Sequence, residues 1–201
     1  MSVYDLSVEK PFTLAELAQA ELNRDRFSGD MTPEQRDFYL QAAIEIGALE
    51  AARYPEQDVN ALAMQLGAGI QDGRISYGSG VYAEYDAATH RITVHAQGVR
   101  EVAADLYRMA KSVPEYATLK DAAHDALFRI ARELLIAHEL FHHLEATRLG
   151  PIHRTLPPVS VPVLGNFWKV KRHVRRTREI AAHSFAHHLL GLAGRFPIEN
   201  I

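Results

Sequence analysis

Apolar residues recur at helical spacing along most of this chain and alternate only in one short central stretch. Leu14, Leu17, Ala18 and Leu22 follow Thr13, which with Glu16 forms a capping-box pattern, so a first helix is expected from Thr13 to about Asp25. Thr32, Pro33 and Gln35 open a second helix running to about Tyr54, with Phe38, Tyr39, Ala42, Ile46 and Leu49 as its expected buried side. A third helix, roughly Glu56 to Leu66, repeats Val59, Leu62, Ala63 and Leu66, and Gly67 and Gly69 close it. From Ile70 to His95 the texture changes to short stretches of Val, Ile, Tyr and Thr between glycines. GVYAEYDAATHRITVHAQG reads as two strands joined by a turn at Asp86–Thr89, with Ile92 and Val94 on a buried face. A helix from Val99 to Lys111 follows, then a connector containing Pro114.

The longest helical pattern runs from about Leu119 to Leu149. Ala123, Leu127, Ile130, Ala131, Leu134 and Leu135 form an apolar stripe, while Arg129, Arg132 and Glu133 fall on the polar side. Gly150 and Pro151 end it. GPIHRTLPPVSVPVLGN, residues 150–166, has no helical period and reads as a loop. Asn166 or a neighbour is expected to start a last helix through KVKRHVRRTREIAAHSFAHHLLGLAG. Residues 1–12 read as an irregular lead-in. The expected class is α+β, mostly helical, with a small β-sheet packed against the longest helix. At 201 residues the chain fits one domain, divisible into 1–55, 56–98, 99–149 and 150–201.

Composition narrows the function classes. A net charge of -3 asks for neither nucleic acid nor an anionic membrane. The absence of cysteine removes disulfides, thiolate metal sites and a cysteine nucleophile, and agrees with a reducing cytoplasm. MSVYDLSVEKPFTLAE holds no apolar signal core, and no apolar run approaches membrane-spanning length, so a cytoplasmic protein is expected. The basic run Lys169, Lys171, Arg172, Arg175, Arg176, Arg178 reads as a solvated helix face, and nucleic acid is not expected as a partner.

The chemistry is concentrated in IAHELFHHLE. His138, Glu139 and His142 spell H-E-x-x-H, and positions i and i+4 of a helix lie one above the other, so both imidazoles can reach one metal ion. Zinc suits two imidazoles and keeps a position open to water, which Glu139 can serve as general base. In a chain with 11 histidines the pattern also arises by chance, so its surroundings decide. The apolar stripe leads straight into His138 and His142, which places the pair on the buried side.

A third ligand must come from elsewhere, since no His follows at metzincin spacing. Glu179 on the last helix fits. The segment Glu179-Ile-Ala-Ala182-His183-Ser-Phe185-Ala186-His-His-Leu189-Leu190 resembles the second motif of ImmA/IrrE-type metallopeptidases, gluzincins in which a ligand Glu precedes Ala, a polar residue and Phe-Ala. Upstream, ALAMQLGAGI, the strand pair ending RITVH and the helix with Arg132 and HELFHHL come in the same order. The likeness covers roughly residues 56–98 and 127–192. It departs at Phe141, where the family has Gly, at His183, where it has Asn or Asp, and by an insertion near 98–128.

The resemblance implies a zincin-like fold, a zinc cofactor held by His138, His142 and Glu179, and hydrolysis of a peptide bond in a protein or peptide substrate, such as a transcriptional regulator. Glu179, His183 and His187 share one helical stripe, so His183 or His187 could replace Glu179 as ligand or hold a ligand imidazole from behind. The alternative function is a non-catalytic, zinc-stabilised regulatory or binding protein of the same fold. Tyr82, Tyr85, His90, His95, His143, His153, His173 and His188 read as packing or surface residues. The strand Arg91–His95 is the expected acceptor of an extended substrate if it lies at the sheet edge.

Overall fold

A computed structural model describes residues 13–73, 81–163 and 168–192. Among the described residues, six α-helices and two small sheets make an α+β fold. The helices are α1 (Leu14–Asn23), α2 (Pro33–Ala51), α3 (Val59–Leu66), α4 (Ala96–Ser112), α5 (His124–Leu144) and α6 (Thr177–Leu189). The strands are β1 (Gly69–Gly73), β2 (Ala83–Asp86), β3 (Arg91–His95), β4 (Val159–Val163) and β5 (Trp168–Arg172). The capping boxes of α1 and α2 form as the sequence predicts, Thr13 with Glu16 and Thr32 with Gln35. Gly67 ends α3 with φ of 84°, a left-handed cap that costs glycine little. Among the described residues no helix is long and apolar enough to cross a membrane.

The first sheet has the order β1-β3-β2. β2 and β3 form the antiparallel pair read from the sequence, and β1 adds in parallel to β3. β3 is therefore central and both its edges are taken. This corrects the expectation that Arg91–His95 offers an edge; the edge strand beside it is β2. Ile92 and Val94 enter the main core, where α5 supplies Leu127, Ala131, Leu134 and Leu135. The sheet packs on α5 through β2 and β3.

The segment read as a loop up to Asn166 is instead partly paired. Val159–Val163 forms β4 against β5, and α6 begins only at Thr177. Asn166 itself lies outside the described residues, as do residues 1–12. The basic run is thereby divided: Lys169, Lys171 and Arg172 stand on a strand, Arg175 and Arg176 in the turn, and Arg178 in the first turn of α6. It is no single helix face. A strand wins here because Val159 and Val161 of β4 pack into the second core cluster, beside Tyr39, Val174 and Ile180.

The expected longest helix is also shorter. Residues 114–119 form a separate 3-10 turn, α5 proper begins at His124, and Glu145–Leu149 widens into a π-helical turn. Ala123 serves as the N-cap and is exposed.

The buried side of α2 is a further correction. Phe38 and Leu49 are 46% and 57% exposed, and the buried positions are Tyr39, Ala43, Gly47, Glu50 and Ala51. The large apolar residues mislead because α6 lies so close that only small ones fit between. A Cβ on Gly47 would stand 2.3 Å from the Ala181 carbonyl oxygen and 2.7 Å from the Phe185 nitrogen. Ser184 Oγ closes the contact by donating to the Ile44 carbonyl at 2.6 Å. Gly47→Ala is expected to cost about 1–3 kcal/mol through overpacking, read as a lower denaturant midpoint. Unchanged stability would mean that the helices separate at no cost.

Candidate metal centre

α5 brings His138 and His142 to one face, four residues apart, with ring centroids 5.0 Å from each other. α6 crosses them with its first turn, where Glu179 sits. The start of α6 is pinned from α1 and the turn after it: Asp25 Oδ2 accepts from the Arg176 backbone N–H at 3.1 Å, and Glu21 Oε2 meets the Arg176 guanidinium at 3.1 Å. A carboxylate in a first turn also suits the positive end of the helix dipole.

Nε2 of His138 and Nε2 of His142 each lie 3.5 Å from Glu179 Oε2. That is long for an N–H···O hydrogen bond, which prefers about 2.7–3.2 Å. It is close to the separation of about 3.3 Å between two ligand atoms of one tetrahedral zinc with bonds of about 2.0–2.1 Å. One donor atom from each of His138, His142 and Glu179 lies within 4.8 Å of the others. Two imidazole nitrogens and one carboxylate oxygen match the donor set of an open zinc site, so the residues fit the ion.

The other two candidates on the α6 stripe stand outside this group. His183 is buried with its ring 4.4 Å from that of His138, and neither His183 Nε2 nor His138 Nδ1 has a hydrogen-bond partner among the described residues. His187 lies deeper, its Nδ1 donating to the His183 carbonyl at 2.8 Å and its ring edge-on to Tyr116. Burial, and after it repulsion between the His183 imidazole and those of His138 and His187 when protonated, hold His183 well below the usual histidine range. Burial lowers His187 to about 4. Phe141 is fully buried against Phe185, so it fills the α5–α6 seam.

Electrostatics bind the cluster together. Burial works against a charged His142, but the Glu145 and Glu179 carboxylates outweigh it and raise its pKa to about 9. Burial would raise Glu179, yet the close imidazoles of His138 and His142 outweigh it and hold the carboxyl far below the carboxylate range. Two supports went unread in the sequence. Glu145 is 5% exposed, and its Oε2 lies 2.8 Å from Arg178 Nη2 and 3.7 Å from His142 Nδ1. Arg178 is hidden within the basic run, and the signals for the pair are only that Glu145 lies three residues past His142 and that Arg178 precedes Glu179.

The three groups line a cleft of about 730 Å³. Glu139 lines it beside His138, as do β2 and the turn at Gly150–Pro151 with His153. The β2 wall is tied to α5 by a directed chain of hydrogen bonds. His143 Nε2 donates to the Leu66 carbonyl at 2.9 Å, so in the neutral ring Nδ1 accepts from the Tyr85 hydroxyl at 3.0 Å. Tyr85 in turn accepts from His90 Nδ1 at 2.9 Å. Burial, with the Asp86 charge, raises the Tyr85 phenol and keeps it a donor. Tyr85→Phe leaves His143 Nδ1 buried without a donor and is expected to cost about 1–3 kcal/mol, measured by denaturant unfolding. A cost near zero would remove this link between the wall and the helix.

Comparison of the chain with protein-family models, with curated proteins and with solved structures finds no match.

Proposed function

We propose that this chain is a zinc-dependent metallopeptidase with a zincin-like fold, acting in the cytoplasm on a protein partner in a regulatory role. One observation carries the reading: two imidazoles four residues apart on α5 each come to 3.5 Å from a carboxylate on α6, in a cleft that Glu139 also lines. The ImmA/IrrE-like order of motifs supports it and supplies the substrate class, with a transcriptional regulator as one such protein.

His138 and His142 would hold the ion through Nε2, and Glu179 through Oε2. A zinc ion bound there acidifies a water and polarises a carbonyl. Glu139 takes the proton of the attacking water on its carboxylate and delivers it to the leaving amide nitrogen. β2, at the edge of its sheet and on the wall of the cleft, aligns an extended substrate by main-chain hydrogen bonds. Tyr85 and His143 hold that strand at a fixed distance from α5.

A second reading, a non-catalytic zinc-stabilised binding protein, draws on the unpartnered Nε2 of His183 beside His138, a candidate fourth ligand. Metal analysis and absorption spectroscopy of a metal-loaded protein separate the two. The enzyme is expected to hold about one zinc through three protein ligands and one water. Glu179→Ala should lose most of the metal and His183→Ala should keep it. Four protein ligands would favour the second reading, and a chain that takes up no zinc would sink both.

A further inference from the structure

The basic run passes through β5, and most of its charge meets no counter-charge. Lys169, Lys171, Arg172 and Arg175 are exposed, and among the described residues none of them makes an ion pair or a side-chain hydrogen bond. Arg176 and Arg178, by contrast, are taken by Glu21 and Glu145. Trp168, the only tryptophan in the chain, stands beside them 71% exposed.

The strand divides these groups between two faces. Successive residues point to opposite sides, so Trp168, Val170 and Arg172 share one face and Lys169 and Lys171 the other. Cover on the first face stops at β4, where Val159 is buried while Arg172 across from it is exposed. Among the described residues β5 pairs with β4 alone, so the backbone groups of its outer edge stay open. Lysines on such an edge guard it against apolar strands. That role does not account for an exposed tryptophan in the same strand.

A nucleic acid or a membrane surface would meet one face of β5 and leave the charge on the other unused. Only an element added along the edge reaches both. An extended peptide has the right spacing, because its own side chains alternate as those of β5 do.

We propose that the outer edge of β5 docks an extended acidic segment of a partner protein as a third strand of its sheet. Running antiparallel, the commoner arrangement, that strand sets acidic residues opposite Lys169, Lys171 and Arg172. Apolar residues then lie opposite Trp168 and Val170. The far end of β5 leads to the cleft, since the ring of His173 is 6.2 Å from that of His153, which lines it. None of this depends on zinc at His138, His142 and Glu179.

Trp168 makes the test direct, because all tryptophan emission comes from the strand itself. Wild-type protein is titrated with a capped peptide carrying the run Glu-Glu-Val-Glu-Val. Emission should shift to the blue and saturate, and the amides of residues 168–172 should gain protection from hydrogen exchange. The same peptide N-methylated along its backbone keeps every side chain but cannot pair, and should bind about tenfold more weakly. Lys169→Glu with Lys171→Glu, both at exposed positions, should weaken binding about tenfold as well. Should that variant fail to fold, the wild-type readouts decide alone. Absence of binding, unprotected amides or equal binding of the N-methylated peptide overturns the proposal. Tighter binding of single-stranded DNA or of phosphatidylserine vesicles overturns it too.

Discussion

Glu139→Gln protein is expected to retain its zinc and to lose peptide cleavage by a factor of about 10²–10⁴, the usual contribution of a positioned general base. The substitution keeps size and shape, and Glu139 is not among the three groups that converge, so the cluster of His138, His142 and Glu179 should be undisturbed. Only the capacity to accept a proton is removed. The measurement pairs metal content with the appearance of new termini in a mixture of unstructured peptides. Cleavage at the wild-type rate would show that the proton goes elsewhere. Loss of metal together with activity would show that Glu139 is itself needed to hold the ion.

Zinc uptake near neutral pH is expected to expel about one proton, and apparent affinity should climb about tenfold per pH unit until about pH 9. In the metal-free protein His142 keeps its proton to about 9 because the Glu145 and Glu179 carboxylates overcome the effect of burial. A zinc ligand must give that proton up. The same shift governs stability without metal. The folded value of His142 lies above the ordinary 6.5, so its contribution is complete below pH 6.5 and fades as pH rises through about 9. Glu179 is displaced the other way, so its contribution is complete above about pH 4.5 and fades in acid. Metal-free protein should therefore gain most from this pair between about pH 4.5 and 6.5, whereas zinc-loaded protein should be favoured above that window. Calorimetry in buffers of differing ionisation enthalpy counts the released protons. Affinity independent of pH between about 6.5 and 8.5 would remove the ion-paired His142 from the account.

Periodicity carried the sequence reading furthest where large apolar residues do the packing. Leu127, Ala131, Leu134 and Leu135 repeat at helical spacing, and their stripe continues into His138 and His142, so the side of α5 that meets Glu179 could be read directly. On α2 the same rule picked Phe38 and Leu49, because Ala43 and Gly47, which touch α6, carry almost no hydrophobic signal. β1 reads as nothing in particular, since Gly69–Gly73 is largely exposed and takes its strand form from β3. β5 looked helical because its exposed lysines and arginines suit either state, and only pairing with β4 decides. Glu179 was legible through its motif. Glu145 and Arg178 were not, because their roles come from a crossing of two helices that no local pattern records.

The close seat of α6 on α2 has a consequence for how the chain matures. His138 and His142 sit on one continuous helix, and that half of the centre can form as soon as α5 does. Glu179 arrives only when α6 docks, and Ser184 finds Ile44 across 140 residues of sequence. Contacts that distant form late, because the intervening chain must be ordered before closure is rewarded. If the centre holds zinc as proposed, tight capture would be reserved for chains in which first and last quarters have met. By mass action the ion would then draw the population toward that state. On that reading metal loading would be the final step of folding and a marker of its completion.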